Sequence, residues 1–225
     1  MISKIAMTLA GCGVLAGTAF ASPFQGVFTD MVNYSDLGAT YRLYAYLDAG
    51  ARVDAVYGNA TGELSITPGF DKSFYQNAAG GNTSQAINSA FFVFVPELEW
   101  DSYVSIGALY QNGDPFGSNN LNDIGIDWTS FEAGLGLQTD NGSWFVTPED
   151  PQGEEVNGRV FLGQFTVVGG TGESTDDISG QLNLQGKDAD GNTWTMIGAP
   201  INGFPAPGAI GLLAIVGLVG SSRRR

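Results

Sequence analysis

Apolar and polar side chains alternate with a period of two along many short stretches of this chain, the signature of strands with one buried face. In TYRLYAYLDA, Tyr41, Leu43, Ala45 and Leu47 fall on one side and Arg42, Tyr44, Tyr46 and Asp48 on the other. ISGQLNLQG repeats the pattern, with Ile178, Leu182 and Leu184 directed inward and Ser179, Gln181, Asn183 and Gln185 toward water. VDAVYG, FFVFV, YVSIGALY, GIDW, WFVT, RVFLGQFTVV and TWTMI are further candidate strands, and no segment between the chain ends runs convincingly at helical period. PGFDK, NAAGGN, QNGDPFGSNN, PEDPQGEE, GGTGESTDD and KDADGN separate them, rich in the Gly, Asn, Asp and Pro that turns require. Roughly nine to ten strands recurring about every ten residues predict an all-β domain, an antiparallel β-sandwich or jelly roll. That domain is expected over residues 23–202.

The two ends follow different patterns. Lys4 precedes an uncharged apolar stretch from Ile5 to about Thr18, and small residues surround Ala19-Phe20-Ala21. This order predicts a secretory signal peptide over residues 1–21, helical in its apolar part, cut after Ala21 with Ala19 at the other small-residue position. Leu9 to Cys12, LAGC, is similar to the lipobox of bacterial lipoproteins. Cleavage there would leave an apolar region of only about seven residues, whereas a further apolar stretch and the Ala-x-Ala site follow, so Cys12 reads as part of the signal.

The other end has three parts: Pro205-Ala206-Pro207-Gly208, an apolar stretch over residues 209–220 that predicts a short helix, and Arg223-Arg224-Arg225. The stretch is shorter than the ~20 residues that cross a bilayer comfortably. Terminal arginines nevertheless hold their end on the cytoplasmic side and leave the body outside. The three-part order over residues 204–225 resembles the PEP-CTERM sorting signal of certain bacteria, with Ala206 standing where that family has glutamate. The resemblance implies recognition by a processing enzyme of the exosortase type, a transient inner-membrane anchor, and transfer to the cell surface or surrounding matrix. A permanent short membrane anchor is the alternative. The body is also similar to uncharacterised secreted proteins that carry such tails, and in strand pattern and length to cohesin-like jelly rolls.

Charge sharpens the picture. All 23 acidic residues lie between the two end segments, with only five of the nine basic ones, so the body carries a net charge of −18. Nucleic acid and anionic lipid select basic surfaces and are not expected partners. The body has no cysteine and the chain no histidine. That removes disulfides, Ser-His-Asp and Cys-His nucleophilic catalysis, and the common zinc and copper sites.

Three constellations remain. Asp188, Asp190 and Asn192 in DADGN occupy the first, third and fifth positions of a calcium loop, but Thr193 replaces the required glycine and Ala199 the twelfth-position glutamate, so a hairpin turn is favoured. Calcium held between acidic loops would draw first on Asp114, Asp123, Asp127, Asp176 and Asp177. Glu97, Glu99 and Asp101 in PELEWDS, and Glu149, Asp150, Glu154 and Glu155 in TPEDPQGEE, are the carboxylates an acid-only glycosidase would use. Tyr44, Tyr46, Tyr57, Trp100, Tyr103, Tyr110 and Trp128 would be the aromatic platform of a carbohydrate-binding module, or simply the filling of a sandwich core.

The expectation is a non-enzymatic, secreted protein of structural or adhesive type, with no resident cofactor. A carbohydrate-binding or cohesin-like interaction module with polysaccharide as partner comes second, and an acid-only glycoside hydrolase third.

Overall fold

The computed structural model describes residues 22–203. The signal segment with Ala19 and Ala21, and the tail with Pro205, Ala206, Pro207, Gly208, Arg223, Arg224 and Arg225, lie outside the described residues. Along the chain run β1 (Phe24–Ser35), β2 (Gly38–Leu47), β3 (Arg52–Gly58), β4 (Leu64–Pro68), β5 (Ser73–Phe74), β6 (Tyr103–Val104) and β7 (Asn122–Ile124). After the single-turn helix α1 (Thr129–Glu132) come β8 (Leu137–Thr139), β9 (Gly142–Phe145) and β10 (Arg159–Val168). A second short helix, α2 (Ser174–Asp177), leads into β11 (Ile178–Lys187) and β12 (Thr193–Pro200).

Among the described residues, all pairings between these strands are antiparallel and fall into two sheets, with one isolated parallel bridge from Thr83 to Val104. The first has the order β1-β2-β10, with β5 and β6 both on the far edge of β10. The second is built on β11, which pairs with β12 on one side and with β3 and β4 in succession on the other; β9 and β7 extend from β3, and β8 from β4. The sheets pack face to face as a sandwich. Tyr41, Leu43, Ala45 and Leu47 of β2, with Val160, Leu162, Phe165 and Val167 of β10, share one core with Val53, Val56, Leu64, Ile66, Trp144, Leu182 and Leu184 of the second sheet. The period-two reading of β2 therefore holds residue by residue: its alternate apolar positions are buried because the pleat directs them to one face.

Strand β10 differs. Its sequence RVFLGQFTVV is apolar almost throughout, and it is buried on both faces. The inner face meets the second sheet, while the outer face is covered by the long connection between β5 and β7. That connection carries three 3-10 turns, Ser84–Ala86, Ser89–Phe91 and Pro96–Trp100, and supplies Ile87, Leu98 and Tyr103 to a second small core around Phe161.

Several expected strands take other forms. FFVFV is a 3-10 turn and loop in which Val93 is 83% and Phe94 79% exposed. YVSIGALY is strand only at Tyr103–Val104, although Ser105 and Gly107 still donate backbone hydrogen bonds to Leu162 and Phe161. In GIDW no strand forms; the pairing with β9 lies just before it, and Gly125, with φ +71°, turns the chain away. Asn183, expected to face water, is fully buried. A register shift between Leu182 and Leu184 breaks the alternation there, and the Asn183 amide is satisfied by the Gly62 carbonyl and the Gly198 N–H.

Candidate functional site

The register of β2 against β10 builds a composite outer surface. Arg42 stands opposite Gln164, Tyr44 opposite Phe161, and Tyr46 opposite Arg159. The residues sit on outward positions of both strands, so pairing brings together side chains more than a hundred positions apart in sequence. Two loops wall this surface: the Gly107–Phe116 part of the covering connection and the turn before β10. That turn is Asn157-Gly158 with φ +57° and +78°, closed by the Val156 N–H on the Arg159 carbonyl. Asn-Gly with both φ positive is the two-residue hairpin geometry that matches strand twist. Between the walls lies a cleft of about 160 Å³.

Its lining combines apolar walls, two guanidinium groups and two hydrogen-bond acceptors. Tyr44, Leu109, Phe116 and Phe161 give the apolar part; Arg42, Arg159, Glu154 and Asn157 the polar part. The Arg42 Nε donates to Gln164 at 3.1 Å and its Nη2 to the Tyr110 hydroxyl at 3.3 Å. Among the described residues Arg42 has no carboxylate within ion-pair distance, whereas Arg52, Lys72, Arg159 and Lys187 each have one. Arg159 pairs with Asp30, reaches the Tyr46 hydroxyl at 3.4 Å, and lies with its guanidinium carbon 4.1 Å from the centre of the Tyr44 ring. Burial pushes the Tyr44 and Tyr110 phenols up, with Arg42 pulling both the other way, so both phenols stay protonated at ordinary pH.

The expected aromatic platform divides. Tyr44, Tyr46 and Tyr110 gather around the two arginines. Tyr103 is sealed beneath them against Phe161, its hydroxyl without a hydrogen-bond partner among the described residues. Tyr57 belongs to the second sheet, Trp128 lies tilted against Phe131 and donates to Asp123, and the Trp100 carbonyl accepts from Thr166. The sequence pattern did not single out the arginine pair, though the scarcity of cations in the body was the available signal.

The carboxylates are distributed among separate tasks. Glu97 and Glu99 lie on the Pro96–Trp100 turn, where Leu98 is the buried residue. Asp101, just after it, is fully buried and accepts from the backbone N–H groups of Asn77, Ser102 and Gly81. Burial pushes its carboxyl up to about 7, against the pull of those three donors. Above it a polar hollow of about 410 Å³ is bordered by Gln76, Asn77, Gly80, Gly81 and Glu132. It is roomier than the arginine cleft, yet it presents neither an aromatic face nor a cation, so the cleft is the better-equipped site. Glu149 pairs with Lys187, Asp150 caps the 3-10 turn Pro151–Gly153, and Glu155 accepts from Gly50 and Gly158. Only Glu154 of that group borders the cleft.

The calcium candidates are dispersed as well. Asp188 accepts from the N–H groups of Asp190 and Asn192 and from the Asn192 amide, which closes a hairpin turn between β11 and β12. Asp127 accepts from the Thr129 N–H, Asp123 from Trp128, and Asp177 is sealed with Lys72, while the Asp114 carbonyl accepts from Leu109 and Asp176 lies in α2. Among the described residues no three carboxylates converge as a metal site. No protein-family model, curated protein or solved structure matches the chain.

Proposed function

We propose that this chain is an exported, non-catalytic adhesive module, a jelly-roll-like sandwich displayed outside the cell by its C-terminal segment and engaging its partner through the arginine-aromatic cleft. The carrying observation is the cleft itself: in a body of net charge −18, two of only five cations line one pocket beside the half-buried rings of Tyr44 and Phe116. Concave sites with apolar walls and a few convergent polar groups are the usual places of ligand binding. The tail, with Pro205 to Gly208, the apolar stretch and Arg223 to Arg225, supports delivery through an exosortase-type enzyme after transient membrane anchoring. A non-enzymatic role agrees with the absence of histidine and with the engagement of Asp101, Glu149, Asp150 and Glu155 in loop hydrogen bonds, capping and an ion pair.

The test is accessibility on intact cells. An antibody to the body should label the surface of whole cells, and deletion of residues 204–225 should move the protein into the medium. Equal distribution with and without those residues would overturn the delivery half of the proposal.

A further inference from the structure

We infer that the cleft between β2 and β10 binds a carboxylate-bearing sugar ring, so that the ligand class is an acidic polysaccharide of uronate type. The inference rests on the surface-display reading and deepens it. Four features of the lining specify the ligand together.

First, Arg42 brings a positive charge that no carboxylate of the described residues neutralises, while its hydrogen bonds to Gln164 and Tyr110 fix its position. A guanidinium held in place is the favoured partner of a planar carboxylate, because little freedom is lost on pairing. Second, Leu109 and Phe116 border the same space and provide the apolar surface against which the C–H face of a sugar ring packs, since Arg159 already covers a face of Tyr44. Third, Glu154 and Asn157 stand at the same rim. A simple anion would find Glu154 repulsive, but a ring that carries hydroxyls as well as a carboxylate donates to Glu154 and Asn157 while it accepts from Arg42. Fourth, Arg159 is already paired with Asp30 and stacked on Tyr44, so it stiffens the apolar wall and adds no second free charge. The cleft volume of about 160 Å³ suits one ring at a time.

The body's charge of −18 repels a polyanion at a distance. Recognition is therefore local: at physiological ionic strength that repulsion is screened beyond about 8 Å, whereas the Arg42 contact is short and partly desolvated. Weak affinity per ring and summation over many displayed copies are the expected mode.

The experiment titrates the full chain with trigalacturonate and with its methyl ester by calorimetry. Trigalacturonate should bind, and the ester, which lacks the charge and carries a methyl on each carboxyl, should bind at least about tenfold more weakly. Arg42→Gln should lose at least about tenfold for the acid, Arg42→Lys should retain part of it, and Lys187→Gln, altering a cation remote from the cleft, should change nothing. If Arg42→Gln fails to fold, Arg42→Lys and the acid-ester comparison decide. Equal binding of acid and ester, no binding of either, or loss on Lys187→Gln equal to that on Arg42→Gln would overturn the inference. Surface labelling that persists in such a case would leave the display reading standing, whereas binding without surface display would overturn that reading alone.

Discussion

The phenolic hydroxyl of Tyr41 donates to the Asp177 carboxylate at 2.6 Å inside the sealed end of the sandwich. Lys72 pairs with the other oxygen, and the N–H groups of Thr171 and Gly172 also converge on this carboxylate. Burial by itself raises Asp177, but Lys72, Tyr41 and those donors outweigh it and hold the carboxyl at about 2. The network ties β2, the loop after β10 and the start of β11 at one point. Removing one member leaves the buried carboxylate short of one of its donors. Lys72→Met should therefore destabilise the fold by about 3–5 kcal/mol, and Tyr41→Phe by about 1–2 kcal/mol, measured by urea denaturation.

Asp177 and Asp101 set opposite pH dependences. Asp177, held at about 2, contributes stability that is fully present above about pH 4 and is lost as pH falls toward 2. Asp101, pushed up to about 7, binds its proton more tightly folded than unfolded, so its contribution declines as pH rises from about 4 through 7. The melting temperature should thus peak near about pH 4–5 and fall toward neutrality, with Asp101 accounting for a free-energy change on the order of 4 kcal/mol. Asp101→Asn should flatten the limb above the peak while leaving the acid limb in place. Scanning calorimetry across this range checks both limbs, and a peak at or above about pH 7 would contradict the assignment.

Gly186 sits at a register irregularity in the pairing of β3 with β11. A Cβ there would fall 1.8 Å from the Arg52 carbonyl oxygen, a backbone atom that cannot turn aside. Gly191, in the β11–β12 hairpin, has φ +83° and no atom within 4 Å of a built Cβ. Gly186→Ala should lower stability by more than about 2 kcal/mol, through sheet separation, and Gly191→Ala by about 1–2 kcal/mol, through backbone conformation alone. Parallel denaturant titrations distinguish the two, and equal losses would show that the close approach is absent.

Val93 and Phe94 point to solvent despite their apolar character. Val93→Ser and Phe94→Ser should each change stability by less than about 0.5 kcal/mol. A loss of about 2 kcal/mol or more in either, measured by thermal melting, would mean that this turn is packed.

How much of this was legible in the chain depends on the range of the interactions involved. In β2 the pleat alone decides which side chains are buried, so Tyr41, Leu43, Ala45 and Leu47 were readable as one face. RVFLGQFTVV was readable as a strand from its largely apolar run, but not as one buried on both sides, since Gln164 and Thr166 stand within it. The same signal misled at FFVFV, because a short apolar run does not encode whether a neighbouring strand edge is available to pair with it. β1 did not stand out, since bulges at Gly26 and between Met31 and Asn33 interrupt its alternation. Among the candidate site residues, the outward placement of Arg42, Tyr44 and Tyr46 followed from β2 alone. Their meeting with Arg159, Glu154 and Phe116 is set by the register of β10 and by a loop path, neither of which leaves a local mark.

Mass spectrometry of the native protein in separated cell-surface and cytosolic fractions tests the central claim, export and envelope display, most directly. The account predicts a chain beginning at Ser22 and lacking Arg223 to Arg225. Recovery of the polypeptide from Met1 to Arg225, unprocessed and confined to the cytosol, would contradict it.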